Sequence, residues 1–513
     1  MLLRPLTLQA PRGSVAADEI REGIDALIAD RADDMPVEFP ADVLAAAEEA
    51  AGRAADEDRA DRTDIPFITL DPASSTDLDQ AMHLSRTAGG YRVLYAIADV
   101  PWFVPLHGPI DTEARRRGET VYLPDRRIPL HPEVLSEGAA SLLPEQPTPA
   151  FVWDLQLDER GEVREVGLER AIVRSVAKLA YDEVQQQLDT GTADEMMLLL
   201  QEIGQLRAQL ESERGGASLN VPEQEVEADG DHVRLTWRQP NPIEDANAQI
   251  SLMTGMAAAS VMLEHGAGIL RTMPPAQDQA VARFRRQTEA LGEPWPTAQR
   301  YGDYLRSLDW RNPSHLALLN QATSLFRGAG YHAFTSAEQI PEDPAQAAIA
   351  APYAHTTAPL RRLVDRFVLL ICHHHLTGTT PPAELLAALA EIPEAMQSAG
   401  SRVGQLEREA IDLVEMLALR AWVGETFPAA VIERREASTN SDGNGGAPTR
   451  VEVQLIDPPV TAWVPLDAQM GQVVRVRLEN VDVAERSVRF VAAGESEPTT
   501  EDAEPTTEGE GAP

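Results

Sequence analysis

The order of strand-like and helical segments is the feature of this sequence that most constrains its fold. From Thr63, short runs rich in β-branched and aromatic residues alternate with polar turns, as in IPFITL, YRVLYAIADV and FVWDLQLDERGEVREVGLERAIVRSV. The DERGE stretch is typical of a hairpin turn. Helical patterns follow at 182–212, 244–272, 276–291, 314–328, 360–376 and 381–423. Strands and helices segregated in this way predict an α+β (mixed α/β) domain over residues 63–423.

The segments on either side of this domain differ from it in composition. Residues 1–62 are acidic and alanine-rich, and we expect them to be partly helical, with one helix beginning near Pro40. Residues 424–493 contain five short alternating strands, which suits a small all-β barrel such as an OB fold. Residues 494–513 hold seven acids and no base, so a disordered acidic tail is predicted there.

Charge and composition limit the classes of function. The formal net charge of −38 argues against a surface coated for nucleic-acid binding, although a local basic or metal-loaded channel is compatible with it because salt screens distant charges. No apolar run is long enough for a transmembrane helix, and the N-terminus is a poor signal peptide. A single cysteine, Cys372, excludes an intrachain disulfide. We therefore expect a cytoplasmic protein without a membrane partner.

Three aspartates lie close together in DPASSTDLDQ, at Asp71, Asp77 and Asp79. Clustered carboxylates without histidine or thiol neighbours favour a hard divalent cation. A calcium-binding EF-hand loop does not fit, because Thr76 replaces the glycine and Met82 the final glutamate. A solvated acidic turn is the other interpretation, but the cluster lies between two strand-like runs, where the end of a sheet presents side chains to a cleft.

Magnesium completed by substrate phosphate is the usual arrangement for phosphodiester chemistry, and such a site also needs an arginine and an aromatic surface. Arg361 and Arg362 follow Pro359 at a predicted helix start, where phosphate binding is favourable. Ordinary surface arginines on a helix, which Asp365 could pair, would explain the same pattern. Tyr122 lies beside a proline-rigid loop, although a lone tyrosine is more often a core residue.

Five blocks in this sequence resemble the ribonuclease II / ribonuclease R (RNB) family of 3′-to-5′ exoribonucleases. In order they are TLDPASSTDLDQAM (69–82), YAIADVPWFV (95–104), RRGETVYLPDRRIPLHPEVLS (116–136), AKLAYDEVQ (177–185) and YAHTTAPLRRLVDR (353–366). The resemblance covers residues 63–420 and implies a metal-dependent hydrolase. Such an enzyme threads single-stranded RNA, 3′ end first, and releases 5′-nucleoside monophosphates with Mg²⁺, or with Mn²⁺ in its place.

The resemblance also implies roles for individual residues. Asp71, Asp77, Asp79 and Gln80 would bind metal, with Asp79 the most important for catalysis. Arg361 would steady the scissile phosphate, and Arg362 is the weaker candidate for that role. Tyr122 would stack on the 3′-terminal base, while Tyr181, His355 and Thr357 would line the RNA channel. RNA rather than DNA is the expected substrate, and the protein is expected to act as a monomer.

Four departures from the family pattern bear on activity. The family has two adjacent aspartates where this chain has Asp79 and Gln80, so weaker binding of at least one ion is expected. Ala358 replaces a serine beside the arginines, and Gln249 stands where an acid is usual in the central helix. The segment before Asp71 is acidic and only about seventy residues long, which is too short for two cold-shock domains. RNA anchoring is therefore expected to rest on the channel and the C-terminal barrel. The alternative interpretation is a weakened or inactive RNB scaffold that binds RNA as a regulator.

Overall fold

The structure is a computed structural model that describes residues 8–9, 15–31, 35–53, 59–217, 222–229, 232–436, 449–455 and 460–493. The strands are β1 (Leu8–Gln9), β2 (Ala60–Asp71), β3 (Gln80–Thr87), β4 (Gly90–Ala98), β5 (Val121–Tyr122), β6 (Arg127–Ile128), β7 (Pro147–Asp158), β8 (Val163–Ala180), β9 (Glu223–Asp229), β10 (His232–Arg238), β11 (Gly268–Thr272), β12 (Gly330–Phe334), β13 (Ala345–Gln346), β14 (Ala351–Pro352), β15 (Thr426–Arg435), β16 (Arg450–Leu455), β17 (Thr461–Val464), β18 (Val473–Asp482) and β19 (Ser487–Ala492).

The helices account for most of the remaining described residues. They are α1 (Val15–Ala29), α2 (Ala41–Ala51), α3 (Val100–Phe103), α4 (Pro109–Arg117), α5 (Tyr181–Thr190), α6 (Glu195–Arg214), α7 (Pro242–His265), α8 (Asp278–Ala290), α9 (Tyr301–Arg306), α10 (Pro313–Ala322), α11 (Leu363–Leu376), α12 (Ala383–Leu389) and α13 (Ile392–Arg420).

A closed five-stranded barrel, in the order β2-β3-β4-β7-β8, forms the centre of the large domain. All neighbouring strands in it are antiparallel except β2 and β8, which pair in parallel from Ala60↔Ala171 to Asp71↔Ala180. Because parallel strands finish at the same edge, the last residues of β2 and β8 lie side by side. This end of the barrel carries the acidic loop.

Alternation along the barrel strands divides their side chains between two hydrophobic clusters. One cluster consists of strand residues with Leu78 and Leu142 from the adjoining loops, and it fills the barrel with small side chains such as Ala81, Ala96 and Ala150. The other cluster includes the fully buried Tyr95 and Trp153 together with residues of α6, α7 and α11. The helices therefore cover the outside of the barrel and desolvate one of its walls.

The central helix α7 is buried along most of its length and packs against α6 and α11. Its N-terminus is closed by a capping box between Asn241 and Glu244. Gly255 allows close packing, because a Cβ there would lie 2.2 Å from the ring of Tyr353. This contact brings the segment before α11 against the middle of α7.

The C-terminal region forms a second five-stranded sheet, in the order β17-β16-β15-β18-β19, with β17 and β19 in contact at its two edges. Its core is continuous with α13 and with Ile20, Ile24 and Leu27 of α1. The predicted order, an α+β (mixed α/β) domain followed by an OB-like all-β barrel, is therefore confirmed. The predicted boundaries at 62, 423 and 493 stay predictions.

Several predicted elements differ in detail from those observed. The helix predicted over 244–272 is wrong at its end, since α7 stops at His265 before Gly266, whose φ is +75°, and residues 268–272 form β11. The helix predicted over 182–212 is two helices, because Gly191 ends α5 in the left-handed conformation and Asp194 caps α6. The hairpin β9–β10 was not predicted. The acidic tail at 494–513 lies outside the described residues, and no described helix is long and apolar enough to cross a membrane.

Candidate active site

The acidic loop connects the end of β2 to the beginning of β3, so Asp71 and Gln80 are held by strand pairing at either end. Between them the loop is shaped by Ser141, which is fully buried. Its hydroxyl accepts a hydrogen bond from the Leu78 amide at 2.9 Å and donates to the Thr76 carbonyl at 2.8 Å. A side chain more than sixty positions away therefore sets the path of the backbone between Asp77 and Asp79.

Lys178, the one lysine of the sequence, holds the first half of the same loop. It lies on β8, which runs parallel to β2. Its Nζ donates to the Ala73 carbonyl at 2.7 Å and to the Ser75 carbonyl at 2.5 Å. A cation fixed to backbone oxygens here adds positive charge near Asp71 and keeps the loop folded over the end of the barrel.

Asp79 is the most enclosed of the three aspartates, with 4% of its surface exposed. Its Oδ1 accepts a hydrogen bond from the Leu360 amide at 2.7 Å, and its Oδ2 lies 3.5 Å from Arg361 Nε. Burial raises the pKa of Asp79 well above its ordinary value, although Arg361 and the Leu360 amide act in the opposite direction. Additional positive charge at this carboxylate would therefore stabilise its ionised form.

Asp71 is half-buried, and its carboxylate accepts no hydrogen bond from any residue that the structure describes. Burial raises the pKa of Asp71 to about 6; Arg361 opposes the rise and Asp77 adds to it. The carboxylate is thus close to two other charged members of the cluster but is not engaged by either. Its oxygens are available to a ligand.

Asp77 has both carboxylate oxygens engaged. Arg127 Nη1 lies 2.6 Å from Oδ1, and the Tyr122 hydroxyl donates to Oδ2 at 3.2 Å. Arg127 also contacts the Thr76 hydroxyl and Glu137 through Nη2. This arginine pairing was not predicted, because nothing in the spacing of residues 77 and 127 indicates that they meet.

Gln80 takes part in a hydroxyl network at the beginning of β3. Its Oε1 accepts hydrogen bonds from the Tyr95 hydroxyl and, at 3.2 Å, from Ser251 Oγ of α7, and those two hydroxyl oxygens lie 2.9 Å apart. Gln249, two residues before Ser251, does not join the site, since its amide donates to Glu211 at 2.6 Å. The structure therefore turns the Gln80 amide oxygen toward Tyr95 and Ser251.

Arg361 and Arg362 have different environments although they are adjacent. The Arg361 side chain is 37% exposed and faces Asp79. Arg362 forms two hydrogen bonds with Asp365, of 3.0 Å from Nε and 2.9 Å from Nη2, and Asp365 also accepts the Ala358 amide at 2.7 Å. The pairing of an arginine by Asp365, considered from sequence for both, applies to Arg362, while Arg361 is the guanidinium presented to the cluster.

A backbone contact fixes Arg361 relative to the hairpin that carries Tyr122. The Thr120 amide donates to the Arg361 carbonyl at 2.9 Å, and the Leu363 amide donates to the Gly118 carbonyl at 2.9 Å. Gly118 has φ +76°, and a Cβ there would lie 2.2 Å from the Cβ of Ala399. Tyr122 is therefore positioned by the start of α11 and by α13 together.

Tyr122 lies at the edge of the carboxylate cluster. Burial raises the pKa of Tyr122 above its ordinary value, so its hydroxyl stays protonated and donates to Asp77. On the other side its amide donates to Glu407 of α13 at 3.4 Å. Tyr122 and Asp77, which the sequence predicted as separate members of the site, are thus in direct contact.

The other predicted RNA-contacting residues lie around this centre. His355 Nδ1 is 2.8 Å from the Tyr331 hydroxyl, and burial, with Arg362 and Arg271, lowers the pKa of His355 well below its ordinary value. Thr357 is buried, with 4% of its surface exposed. Tyr181 begins α5 beside the end of β2, and its hydroxyl accepts a hydrogen bond from Asn247 Nδ2 at 2.8 Å.

The donor set determines how well the residues fit a divalent cation. Asp71 and Asp79 offer hard carboxylate oxygens whose burial is unfavourable without added positive charge. Asp77 is engaged by Arg127, and within the described ranges no group of three or more histidine, cysteine, aspartate or glutamate side chains is placed to hold an ion. Asp71 and Asp79, which both lie near Arg361, are the carboxylates that would hold a cation, and the described residues do not provide a three-carboxylate cage.

Comparison with known proteins agrees with this architecture. The family model described as the RNB domain matches residues 59–378, and that of the RNase II-type exonuclease C-terminal S1 domain matches residues 425–493. The first match alone covers more than half of the chain. The protein therefore belongs to the RNB-domain family, with an S1 domain following the RNB domain.

Among relatives, Ribonuclease R of Escherichia coli (strain K12) is 26% identical over 448 residues, covering 81% of this chain and 54% of that protein. The chain thus spans about half the length of such curated relatives. The structure of Mycoplasma genitalium RNase R in complex with ribose-methylated single-stranded RNA superposes with a TM-score of 0.77 at 20% identity, over 93% of this chain and 78% of that one. Yeast Ssd1, a pseudonuclease, superposes with a TM-score of 0.66 at 15% identity, over 90% and 58%. At these identities the structural similarity shows the fold.

Proposed function

We propose that the protein is a 3′-to-5′ exoribonuclease that hydrolyses single-stranded RNA to 5′-nucleoside monophosphates with the help of a divalent cation. The observation that supports this most is the meeting of Asp71, Asp79, Arg361 and Tyr122 at one end of the central barrel. The four side chains come from three separate sequence blocks. Together they supply the carboxylates, the guanidinium and the aromatic ring that phosphodiester hydrolysis requires.

In this proposal Arg361 binds the non-bridging oxygens of the last phosphodiester. Its guanidinium is partly exposed, lies two residues before the first residue of α11, and is not consumed by a bidentate partner as Arg362 is. The amides and dipole at the start of this helix add to the attraction for phosphate. Arg361 would thus offset the negative charge that develops on phosphorus oxygens during attack by water.

Tyr122 would stack on the 3′-terminal base, and its hydrogen bond to Asp77 would keep the ring beside the carboxylates. Such stacking tolerates any base, which suits degradation without regard to sequence. Tyr181, with its hydroxyl held by Asn247, would line the channel at the opposite edge of the acidic loop. His355 and Thr357 would contribute neutral surface to the same channel.

Asp71 and Asp79 are the residues that would hold the cation, Mg²⁺ or Mn²⁺. A divalent cation bound there would supply positive charge to the phosphate and lower the pKa of a water molecule that attacks it. The Leu360 amide and Arg361 keep Asp79 oriented for this role. The remaining expectations, a monomer in the cytoplasm with no DNA substrate, stay predictions.

A degradation assay tests the proposal directly. Single-stranded RNA labelled at its 5′ end should shorten progressively with Mg²⁺ or Mn²⁺, and the same RNA blocked at its 3′ end should persist. An equal-length DNA should also persist. A folded protein that leaves unblocked RNA intact in both metals would refute the proposed activity.

An inactive RNA-binding protein on the same scaffold is the second candidate. It is favoured by Gln80, whose amide oxygen is engaged by Tyr95 and Ser251, and by the absence of a hydroxyl at the fully buried Ala358. Under this alternative the protein binds RNA without shortening it, and Gln80→Asp creates activity. Degradation by the unmodified protein rules it out.

A further inference from the structure

A guanidinium is fixed among the charges around the acidic loop. Arg127 contacts Asp77, Thr76 and Glu137 at the same time, and 25% of its side chain is exposed. Two of these partners lie on the acidic loop and the third, Glu137, follows Arg127 by ten positions, so this arginine has little freedom. Asp77 is therefore neutralised by a protein cation rather than left for a bound ion.

Gln80 contributes neither charge nor a free oxygen. Two hydroxyl groups donate to its Oε1, and a carbonyl oxygen has two lone pairs to offer. The Tyr95 donor is fully buried, and Ser251 lies on the central helix, so both donors belong to the rigid part of the fold. The Gln80 amide oxygen is consequently satisfied by the protein itself.

The net charge of the cluster follows from these contacts. The sum includes the three loop aspartates and the charged side chains that contact the loop. The negative charges are Asp71, Asp77, Asp79 and Glu137, and the positive charges are Arg127, Arg361 and Lys178, which leaves a single negative charge. One divalent cation would reverse that to a single positive charge, which the scissile phosphate can neutralise. A second divalent cation would leave an excess of about three positive charges in a partly buried site before substrate binds, which is unfavourable.

We propose that this site takes one divalent cation, at Asp71 and Asp79, and that the Arg127 guanidinium replaces a second one by holding Asp77. The inference rests on the proposed function, since it concerns the same site. A guanidinium can neutralise charge and donate hydrogen bonds to phosphate oxygens, but it cannot act as a Lewis acid toward water. Arg127 is thus assigned to positioning Asp77 and to charge, and Gln80 is assigned to the hydroxyl network rather than to the metal.

Counting bound ions tests the inference without measuring activity. Metal-free full-length protein is titrated with Mn²⁺ in the absence of RNA at about 0.15 M salt, and free Mn²⁺ is followed by its electron paramagnetic resonance signal. Ions that Asp79→Asn still binds are counted as surface binding and subtracted. The expected result is one Mn²⁺ per chain; two ions of similar affinity in the unmodified protein, or none, would overturn the inference.

Substitutions test the assignment of Arg127. The double variant Arg127→Met, Gln80→Asp should bind two Mn²⁺ per chain, because it frees Asp77 and adds a carboxylate. Arg126→Met is the matched control, since Arg126 pairs with Asp25 and Asp125 instead, and it should still bind one. A folded double variant that binds one ion would show that Arg127 does not take the place of a cation.

The ion count and the RNA assay separate the two proposals. A protein that degrades RNA but binds two ions contradicts the single-cation inference and leaves the exoribonuclease proposal intact. A protein that binds one ion but leaves RNA intact contradicts the exoribonuclease proposal and agrees with the single-cation inference. If the double variant does not fold, as judged by circular dichroism, the count on the unmodified protein still decides the number of ions.

Discussion

The two five-stranded barrels of this protein present different chemistry at their surfaces. In the central barrel the parallel strands β2 and β8 finish at the same end. Asp71, the last residue of β2, pairs there with Ala180, and Tyr181 follows Ala180 at the start of α5. In the C-terminal barrel every neighbouring pair is antiparallel. Its strand β18 carries Arg475 and Arg477 on the exposed face, and neither forms an ion pair with the described residues.

The comparison shows that what surrounds a barrel, more than its number of strands, determines its chemistry. Helices α6, α7 and α11 cover the central barrel, so acids at its end are desolvated and the pKa of Asp79 is raised. The C-terminal barrel leaves arginines in water, where they can attract phosphate. We therefore expect the first barrel to carry the reaction and the second to carry sequence-independent RNA affinity.

Asp79→Asn, at the end of the central barrel, should reduce RNA hydrolysis more than any other substitution proposed for this protein. The variant removes the negative charge that faces Arg361, and we expect RNA hydrolysis to fall about 1,000-fold or more while RNA binding is kept. Initial rates and binding of the same labelled RNA are measured in parallel. Asp154→Asn, which breaks a surface pair with Arg92 on the same barrel, is the control and should keep its activity.

Arg361→Met and Arg362→Met should separate catalysis from stability at adjacent positions. Loss of Arg362 leaves Asp365 as an unpaired buried carboxylate, so the free energy of unfolding should fall by about 3–5 kcal/mol. Loss of the partly exposed Arg361 should cost about 1 kcal/mol or less but lower hydrolysis about 100-fold. Urea unfolding and RNA hydrolysis are measured for both variants, and equal stability losses would contradict the distinction.

Replacing Arg475 and Arg477 together by alanine tests the role of the C-terminal barrel. RNA affinity should fall about 5- to 10-fold at low salt, and the slope of log affinity against log salt should become shallower by about 1 to 2. The rate at saturating RNA should not change. Arg164→Ala removes an exposed arginine from the central barrel, where it pairs with Asp158, and should leave the slope as it was.

Glu407→Gln should give the smallest effect, on the helix α13 that lies between the two barrels. Burial raises the pKa of Glu407 from 4.5 to about 7, so the folded state binds the proton more tightly than the unfolded chain. Stability is therefore lost as pH rises from about 4.5 through 7, by about 1 kcal/mol after allowance for solvent screening.

The glutamine variant should not show this loss, and it should be more stable than the unmodified protein at about pH 8. Unfolding free energies at about pH 5 and pH 8 check the prediction. Glu394→Gln, at an exposed position of the same helix, should keep the pH dependence of the unmodified protein. An unchanged pH dependence in Glu407→Gln would contradict the assignment.

Much of the fold followed from local patterns in the sequence. The alternation of IPFITL and YRVLYAIADV predicts β2 and β4, and the placement of DPASSTDLDQ between strands predicts that its acids lie at a sheet end. The helical run after Pro359 likewise predicts α11, although the predicted start at residue 360 lies three residues before the observed start at Leu363. Such features depend on neighbours within a few residues, which is the range over which propensity and periodicity act.

Only the tertiary structure decided how the charges in the site are paired. Lys178 reaches the Ala73 and Ser75 carbonyls across more than a hundred positions, and Arg127 reaches Asp77 across fifty. Of two adjacent arginines, the one locked by Asp365 could not be told from its neighbour, because both precede the same helix. The sequence by itself determined which residues could carry phosphodiester chemistry; packing of the barrel end against α7 and α11 decided which of their charges remain available, since burial and long-range pairing set the energy of each.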